Sequence, residues 1–230
     1  MGAGGIGNPA ALALATAGGM RFLLADDDAV EAGNLHRQFL YTKEDIGRPK
    51  VEALAAALRS VRADLEIAPV GRALPETVTE LVARADVVLD GTDNFASRFL
   101  LADACFLGRR PIVHAAAVRW TGTVTVVSAT GAPCYRCFFE EQPGDGAPDC
   151  ESAGVIGPLC GVVGGVAAGE VLRLLGGDEG GIATLTTFDA KTARFRRLHV
   201  AKRPGCPLCG ASPSISSIDR RRYTAPSRAR

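Results

Sequence analysis

The first nine residues constrain the fold of this chain more than any other stretch. Residues 2–7 read GAGGIG, the G-x-G-x-x-G pattern of a phosphate-binding loop, whose glycines let the backbone turn tightly beside a phosphate. We expect Asn8 as N-cap and Pro9 in the first turn of a helix whose amide groups face the anion. Asp26 follows the next apolar run. In nucleotide-binding α/β folds, an acid at this place, after the second strand, reaches a ribose hydroxyl group. The opening therefore predicts a nucleotide site.

Apolar and helical segments then alternate up to residue 118, which predicts an α/β fold, Rossmann-like, with a parallel, doubly wound sheet. The predicted helices cover residues 8–17, 48–62, 75–85 and 95–108, and the predicted strands cover residues 21–25, 65–70, 87–89 and 111–118. Alternating apolar residues later in the chain predict antiparallel strands that continue the sheet, at residues 121–129, 183–188 and 193–200.

The composition fits one domain, because 47% of the 230 residues are hydrophobic. We expect this domain to cover residues 1–219, with a mobile loop at 140–149 and a disordered basic tail at 220–230. A helix at 157–175 has the length of a membrane span, but its glycines and charged Glu170 favour a core or dimer helix. The 26 basic and 25 acidic side chains indicate neither nucleic acid nor a membrane as partner, and we expect a cytoplasmic protein.

The glycine loop lacks the strand that normally leads into it. Such a loop is convincing when a strand precedes it, whereas Met1 stands directly before this one. We therefore expect the first strand of the fold to be missing here, either because the start codon lies upstream or because the fold is truncated.

Two basic side chains follow the ribose acid. Asn34 and Arg37 lie in the stretch NLHRQ, and Lys50 follows in the stretch GRPK. A triphosphate carries several charges that a guanidinium fork and an ammonium group neutralise, whereas a nicotinamide dinucleotide gives them no obvious role. Either residue alone would be an ordinary surface charge, but behind a glycine loop and a ribose acid the pair favours ATP.

The stretch DGTDN at residues 90–94 follows a short buried strand. A carboxylate at the carboxyl end of a central strand faces the crevice where ligands bind in open α/β sheets. Asp93 is thereby placed to hold Mg²⁺, which uses one or two carboxylates together with the phosphates of its substrate. Asp93 or Asn94 could also cap the following helix, and both roles are compatible.

Seven cysteines are present, and four of them form two C-x-x-C pairs, Cys134 with Cys137 and Cys206 with Cys209. Four thiolates make a closed tetrahedral zinc site, which is structural because no ligand position stays open. The pairs are far apart in the sequence, so the metal would hold the C-terminal segment against the domain. A redox pair is the alternative.

The other three cysteines differ in their surroundings. Cys105 and Cys160 lie among apolar or small residues of predicted helices and are expected in the core. Cys150 ends the loop at 140–149, where an exposed thiol near a helix N-terminus can act as a nucleophile. An incidental surface cysteine is the competing interpretation.

Taken together, these motifs resemble the ThiF/MoeB/HesA family, relatives of the ubiquitin-activating enzymes. The resemblance covers residues 1 to about 219. It rests on GAGGIG-NP at 2–9, the D-x-D of Asp26 and Asp28, NLxRQ at 34–38, GxPK at 47–50, DGTDN at 90–94, the paired C-x-x-C, and CExxGV at 150–155. The glycine loop alone would be weak, whereas this combination is specific.

The resemblance implies an adenylyltransferase that uses MgATP to activate the C-terminal glycine of a ubiquitin-like sulfur-carrier protein ending in Gly-Gly. It also implies the cofactor-binding residues: Gly5 at the phosphates, Asp26 at the ribose, Arg37 and Lys50 at the phosphate chain with Asn34 assisting, and Asn94 together with Asp93, which holds Mg²⁺. Cys150 matches the loop cysteine with which some relatives take up the acyl group as a thioester or persulfide-linked species.

Partners follow from the same resemblance. It implies a homodimer, and a separate sulfurtransferase or cysteine desulfurase, because the sequence shows no rhodanese-like domain. Two alternatives stay open: a nicotinamide-dependent oxidoreductase, and a non-catalytic protein that binds a ubiquitin-like partner. The sequence does not indicate whether thiamine, molybdopterin, cysteine or a peptide is the end product.

Overall fold

The computed structural model describes residues 1–131, 133–142 and 153–223, and its elements follow the predicted α/β order. The helices are α1 (Gly7–Ala17), α2 (Lys50–Val61), α3 (Val78–Ala83), α4 (Phe95–Leu107), α5 (Tyr135–Phe138) and α6 (Gly157–Leu175). The strands are β1 (Phe22–Ala25), β2 (Ile67–Val70), β3 (Val88–Asp90), β4 (Ile112–Val118), β5 (Thr121–Val127), β6 (Thr184–Asp189) and β7 (Arg194–His199). Every predicted helix and strand is confirmed, although α3 is shorter than predicted, and α5 has no predicted counterpart.

The strands form two sheets. β1 and β2 pair in parallel. β3 to β7 form a five-stranded sheet in chain order, in which β3 and β4 are parallel and the later pairs are antiparallel. The predicted change from parallel to antiparallel pairing is confirmed. The prediction of one continuous sheet is not met in the part of the chain that the structure describes, because no strand ladder joins β1 to β3.

Met1 and Gly2 lie between the facing edges of the two sheets. The Gly2 amide donates to the Ala25 carbonyl at 2.8 Å, the Met1 amine donates to the Leu89 carbonyl at 3.0 Å, and the Gly91 amide donates to the Met1 carbonyl at 2.9 Å. Elsewhere a cleft of about 960 Å³ separates the two edges, lined mainly by residues of α1, β1, β3 and α6. The cleft reaches the glycine loop at Gly2, Ala3 and Gly7, but the side chains of Asp26, Arg37, Lys50 and Asp93 do not line it.

Helix α6 packs closely on the glycine loop and on β5 because small residues face them. A Cβ atom on Gly164 would come within 2.9 Å of the Ile6 carbonyl oxygen, and one on Gly122 would collide with Val163. Ala167 is fully buried in the same core. By length and composition α6 could cross a membrane, yet this face lies in the core, as the sequence predicted.

The predicted N-cap of α1 is wrong. The helix begins at Gly7, and Ile6 takes the cap position. Asn8 is instead buried inside the helix, where its Oδ1 accepts a hydrogen bond from the Leu40 amide at 2.9 Å. Its side chain joins α1 to Leu40, two residues after the NLHRQ segment.

The C-terminal tail is structured beyond the predicted boundary at residue 220. Arg220–Arg222 forms a 3-10 turn capped by Asp219, and the buried Tyr223 donates its hydroxyl hydrogen to Asp103 Oδ2 at 2.8 Å. Arg136 binds the same buried carboxylate at 2.8 Å, since a carboxylate inside the core needs several donors. Residues 224–230, and the predicted mobile loop from residue 143 onward, lie outside the described residues.

Candidate active site

The predicted ribose acid meets the glycine loop at the carboxyl end of β1. Asp26 Oδ2 accepts a hydrogen bond from the Ala3 amide at 2.6 Å, and Oδ1 accepts one from the Asp28 amide at 2.9 Å. Burial raises the pKa of Asp26, and these two backbone donors act against the rise. Since each carboxylate oxygen has two lone pairs, Asp26 keeps acceptor capacity for a ligand hydroxyl group.

The DGTDN stretch packs on the same glycine loop. A Cβ atom on Gly2 would lie 2.9 Å from the Gly91 carbonyl carbon and 3.0 Å from the Thr92 amide nitrogen. Asp93 comes next, with an exposed side chain. Asn94 is the N-cap of α4, and its Oδ1 accepts from the Ser97 amide at 2.9 Å. The capping role therefore belongs to Asn94, and the Asp93 carboxylate is available for a cation.

Lys50 lies at the start of α2, beside the ribose acid. Its ammonium group is 2.6 Å from Asp28 Oδ2, and its side chain is only 7% exposed, whereas that of Asp28 is 64% exposed. The carboxylate thus orients the ammonium group while remaining open to solvent on its other side. The structure thus brings Lys50 together with the Asp26–Asp28 acids.

Tyr41 joins Lys50 to the glycine loop, a role that the sequence pattern does not reveal. Its buried hydroxyl contacts the Ala3 carbonyl at 2.8 Å and the Lys50 carbonyl at 3.1 Å. Burial raises the pKa of Tyr41, so the hydroxyl stays protonated at neutral pH. A single tyrosine between two motifs carries no signal in the sequence, because only the fold brings both carbonyls to it.

Arg37 and Asn34 lie on another side of the loop. Arg37 Nη2 donates to Asn34 Oδ1 at 2.6 Å. A Cβ atom on Gly5 would be 3.5 Å from Arg37 Cδ and 3.0 Å from the sulfur of Cys160. Cys160 is buried, as predicted, but it lies directly against the glycine loop. A side chain at position 5 would therefore be tightly packed against the sulfur of Cys160.

The predicted residues thus lie around a single glycine loop. The loop supplies backbone amides, and the residues around it supply two cations and two carboxylates. Such a set of groups binds a polyanion together with a divalent cation. Cys150, the predicted nucleophile, lies outside the described residues.

The four cysteines of the C-x-x-C pairs form a second centre. Their sulfur atoms lie within 4.8 Å of one another and are buried. The sulfur of Cys134 is 4.0 Å from that of Cys137 and 3.4 Å from that of Cys206, and the sulfur atoms of Cys137 and Cys209 are 3.4 Å apart. Zinc–sulfur bonds of about 2.3 Å in a tetrahedron place the sulfur atoms about 3.8 Å apart. The predicted clustering is confirmed, and its dimensions fit zinc.

Backbone donors favour thiolates in this cluster. The Arg203 amide lies 3.4 Å from the Cys137 sulfur. Burial opposes ionisation of Cys206, but the amides of Cys209 and Leu208 lower the pKa of its thiol to about 7. Burial raises the pKa of Cys209 to about 11 and raises that of Cys134 further, so these two thiols would lose their protons when a metal binds.

Comparisons with known proteins agree with this geometry. A sequence profile described as the ThiF family matches residues 1–208. The SAMP-activating enzyme E1 of Haloferax volcanii is 41% identical over 225 residues, which cover 95% of this chain and 83% of that protein. The sulfur carrier protein ThiS adenylyltransferase of Escherichia coli is 41% identical over 214 residues, covering 92% of this chain and 85% of that protein.

Other relatives are longer than this chain. The adenylyltransferase and sulfurtransferase MOCS3 of Sus scrofa is 41% identical over 95% of this chain, which spans 49% of that protein. Among solved structures, E. coli MccB with MccA-N7isoASN superimposes with a TM-score of 0.79 at 21% identity, over 91% of this chain and 65% of that one. MccB with ATP gives a TM-score of 0.78 at 21% identity, with the same coverage. These structures show a shared fold.

Proposed function

Because the chain belongs to the ThiF family, we propose that it adenylylates the C-terminal glycine of a ubiquitin-like sulfur-carrier protein. The carrier carboxylate attacks the α-phosphorus of ATP; a new P–O bond forms, the bond from the α-phosphorus to the bridging oxygen breaks, and pyrophosphate leaves with that electron pair. The observation that carries this proposal is the meeting of Asp26, Lys50 and the Asp93 loop at one glycine loop. The relatives named for SAMP and ThiS support the choice of substrate class.

The nucleotide lies along the glycine loop in this proposal. Asp26 accepts hydrogen bonds from the ribose hydroxyls, using the lone pairs that Ala3 and Asp28 leave unoccupied. The backbone at Gly5 approaches the phosphates, because glycine has no side chain to keep the anion away from the amides before α1.

Arg37 and Lys50 neutralise the phosphate chain. Lys50 exchanges its contact with the exposed Asp28 for a phosphate oxygen, and Arg37 is oriented by Asn34. Both cations are fixed before the reaction, so they stabilise the charge that develops on the leaving pyrophosphate without reorganising. The attacking carboxylate is already ionised, so no general base is needed.

The residues present suit Mg²⁺ at Asp93. This carboxylate is exposed beside the glycine loop, and Asn94 is occupied in capping α4. When bound, Mg²⁺ would neutralise phosphate oxygens and hold the chain of phosphates in line. Asp93 binds the ion, and the loop that carries Asp93 sets its distance from the phosphates.

Zinc in the four-cysteine cluster would be structural, since all four coordination positions are thiolates. It would join α5 to the segment that follows β7. A cytoplasmic location belongs to the same proposal, because a cluster of four thiolates suits a reducing compartment.

The carrier and a second copy of the chain require separate surfaces. On β7, Arg196 and Leu198 share one exposed face of the sheet, which offers apolar and basic contacts to a carrier. On α6, the exposed Val162 and Leu172 flank glycines with open space beside them, which suits a homodimer contact. Sulfur would come from a separate sulfurtransferase or cysteine desulfurase.

Lys50→Met lowers kcat/KM for ATP by about 10²- to 10³-fold, because one preorganised cation opposite the phosphates is lost. The matched control is Lys43→Met, which removes an exposed lysine of the same loop region and leaves the rate unchanged. Initial rates of pyrophosphate release over a range of ATP concentrations provide the measurement. Equal rates for the two variants would remove Lys50 from the phosphate site.

Cys150→Ala leaves adenylate formation intact and removes any covalent carrier adduct, because adenylation needs no thiol. Intact-protein mass spectrometry under non-reducing conditions detects the adduct, with Cys105→Ala as the control because that cysteine is buried in the core. Loss of adenylation in Cys150→Ala would assign this residue to the first chemical step instead.

The proposed function is tested by the intact mass of the carrier after incubation with MgATP and inorganic pyrophosphatase. We expect the carrier to gain one AMP group, and a carrier without its terminal glycine to gain none. An unmodified carrier, combined with stoichiometric binding of a nicotinamide dinucleotide, would favour the oxidoreductase alternative.

A further inference from the structure

A buried carboxylate and histidine lie directly behind the Asp93 loop. Asp90 ends β3 and is paired in register with His114 of β4. The Asp90 side chain is fully buried, and His114 is 2% exposed. His114 Nδ1 lies 2.7 Å from Asp90 Oδ2. Neither side chain has a role in the nucleotide contacts proposed above.

The other carboxylate oxygen of Asp90 holds the loop itself. Asp90 Oδ1 accepts from the Thr92 amide at 2.9 Å and from the Thr92 hydroxyl at 2.6 Å. Arg98 donates to the Thr92 carbonyl and also to the Ala115 carbonyl, the latter at 2.8 Å. The amide, hydroxyl and carbonyl of Thr92 are therefore all fixed, immediately before Asp93.

The protonation of this pair follows from its contacts. Burial opposes ionisation of Asp90, but Arg98, His114 and Thr92 hold its pKa below the usual range. Burial lowers the pKa of His114, so the ring is neutral, and its Nδ1–H donates to the carboxylate. Within the described residues Nε2 of His114 has no hydrogen-bond partner. Leaving this nitrogen unpaired costs less free energy in a neutral ring than in a protonated one.

The ring of His114 also contacts the four-cysteine cluster through one aromatic side chain. Its centroid lies 4.1 Å from that of Tyr135. Tyr135 lies between Cys134 and Cys137 on α5, and its ring also packs edge-on against Phe99 at 5.3 Å. The contacts thus run without interruption from the cysteines to the Asp93 loop.

We propose that His114 is a positioning residue: acting through Asp90 and Thr92, it sets the place of Asp93, and through Tyr135 it links that place to the four-cysteine cluster. This inference rests on the proposed function, because the position of Asp93 matters for a magnesium nucleotide. Partners that orient a metal ligand typically change metal affinity or activity by about 10- to 100-fold when they are replaced.

The test compares His114→Asn with His114→Leu. The asparagine amide nitrogen takes the place of Nδ1 and keeps the donor to Asp90, whereas leucine removes it. We expect His114→Leu to raise the Mg²⁺ concentration for half-maximal ATP–pyrophosphate exchange by about 10- to 100-fold, with a smaller change in kcat at saturating Mg²⁺. In His114→Asn, this Mg²⁺ concentration should stay close to that of the wild type. If the leucine variant does not fold, His114→Gln, whose amide lies nearer Nε2, replaces it with the same expectation.

Metal content and melting temperature separate this role from a structural one. A lower melting temperature with an unchanged Mg²⁺ requirement in His114→Leu would overturn the proposal. Tyr135→Leu should keep all four thiolates and the zinc yet raise the Mg²⁺ requirement, and an unchanged requirement would overturn the link to the cluster.

Failure of the proposed function is recognised independently, because the wild-type chain would then show no exchange with any carrier. In that case Mn²⁺–ATP binding, followed by electron paramagnetic resonance, tests the positioning role without catalysis. Weaker Mn²⁺ binding in His114→Leu than in His114→Asn supports the role, and equal binding in the two variants overturns it.

Discussion

Asp93→Ala lowers carrier-dependent adenylation by about 10³-fold or more and leaves the fold intact. The loss is large because Mg²⁺ then has no protein ligand, so the negative charge of the phosphate chain is not neutralised. The leaving pyrophosphate thereby loses its strongest stabilisation. The fold persists because the Asp93 side chain is exposed and Asn94, rather than Asp93, caps α4. Exchange of labelled pyrophosphate into ATP, measured at several Mg²⁺ concentrations, reports the loss.

The matched control for this substitution is Asp86→Ala. Asp86 is exposed just before β3, at the opposite end of the same strand, so its removal takes away one carboxylate without touching the loop. We expect its exchange rate to equal that of the wild type. Activity retained in Asp93→Ala at low Mg²⁺ would remove this residue from the metal site.

Cys206→Ser removes the metal from the four-cysteine cluster and lowers the free energy of unfolding by more than about 4 kcal/mol. The substitution leaves three buried thiolates around an incomplete site. The cluster is also the centre of a small core of its own, with Leu208, Ile215 and Phe106 packed around the cysteines. A bound metal would join the segment after β7 to α5, and the substitution would remove that link.

Metal analysis and limited proteolysis measure this effect. The wild-type chain should hold one zinc ion and resist cleavage after β7, whereas Cys206→Ser should hold almost none and be cut in this segment. Cys105→Ala is the control, because that cysteine is buried in a different cluster and should leave the zinc content unchanged. Full zinc content and the wild-type melting temperature in Cys206→Ser would contradict a four-thiolate site.

The order of elements was predictable from the sequence because local periodicity determines it. Apolar runs or the alternation of apolar and polar residues indicated every predicted strand, and the bounds of α6 match the prediction at 157–175. The meeting of the two C-x-x-C pairs was also predictable, because four thiolates are the number of ligands that one closed tetrahedral metal site needs. These features depend on residue type and spacing alone.

The contacts that sequence reasoning missed are all made across the fold. Asn8 has the residue type of an N-cap, but its side chain is buried and accepts a hydrogen bond from the Leu40 amide instead. Tyr41 and His114 are single residues whose roles depend on partners brought to them by neighbouring segments and strands. Tyr223 donates a buried hydrogen bond to Asp103, although the residues around it in the sequence are those of a basic tail. Spacing cannot reveal such partners.

The central claim is tested most directly by ATP–pyrophosphate exchange, with MgATP, labelled pyrophosphate and a panel of sulfur-carrier proteins ending in Gly-Gly. Each carrier is paired with a version that lacks its terminal glycine. We expect exchange that depends on one or a few intact carriers and disappears with the shortened ones. A folded chain that gives no exchange with any carrier in the panel would contradict the proposed adenylylation and favour a non-catalytic protein that binds a ubiquitin-like partner.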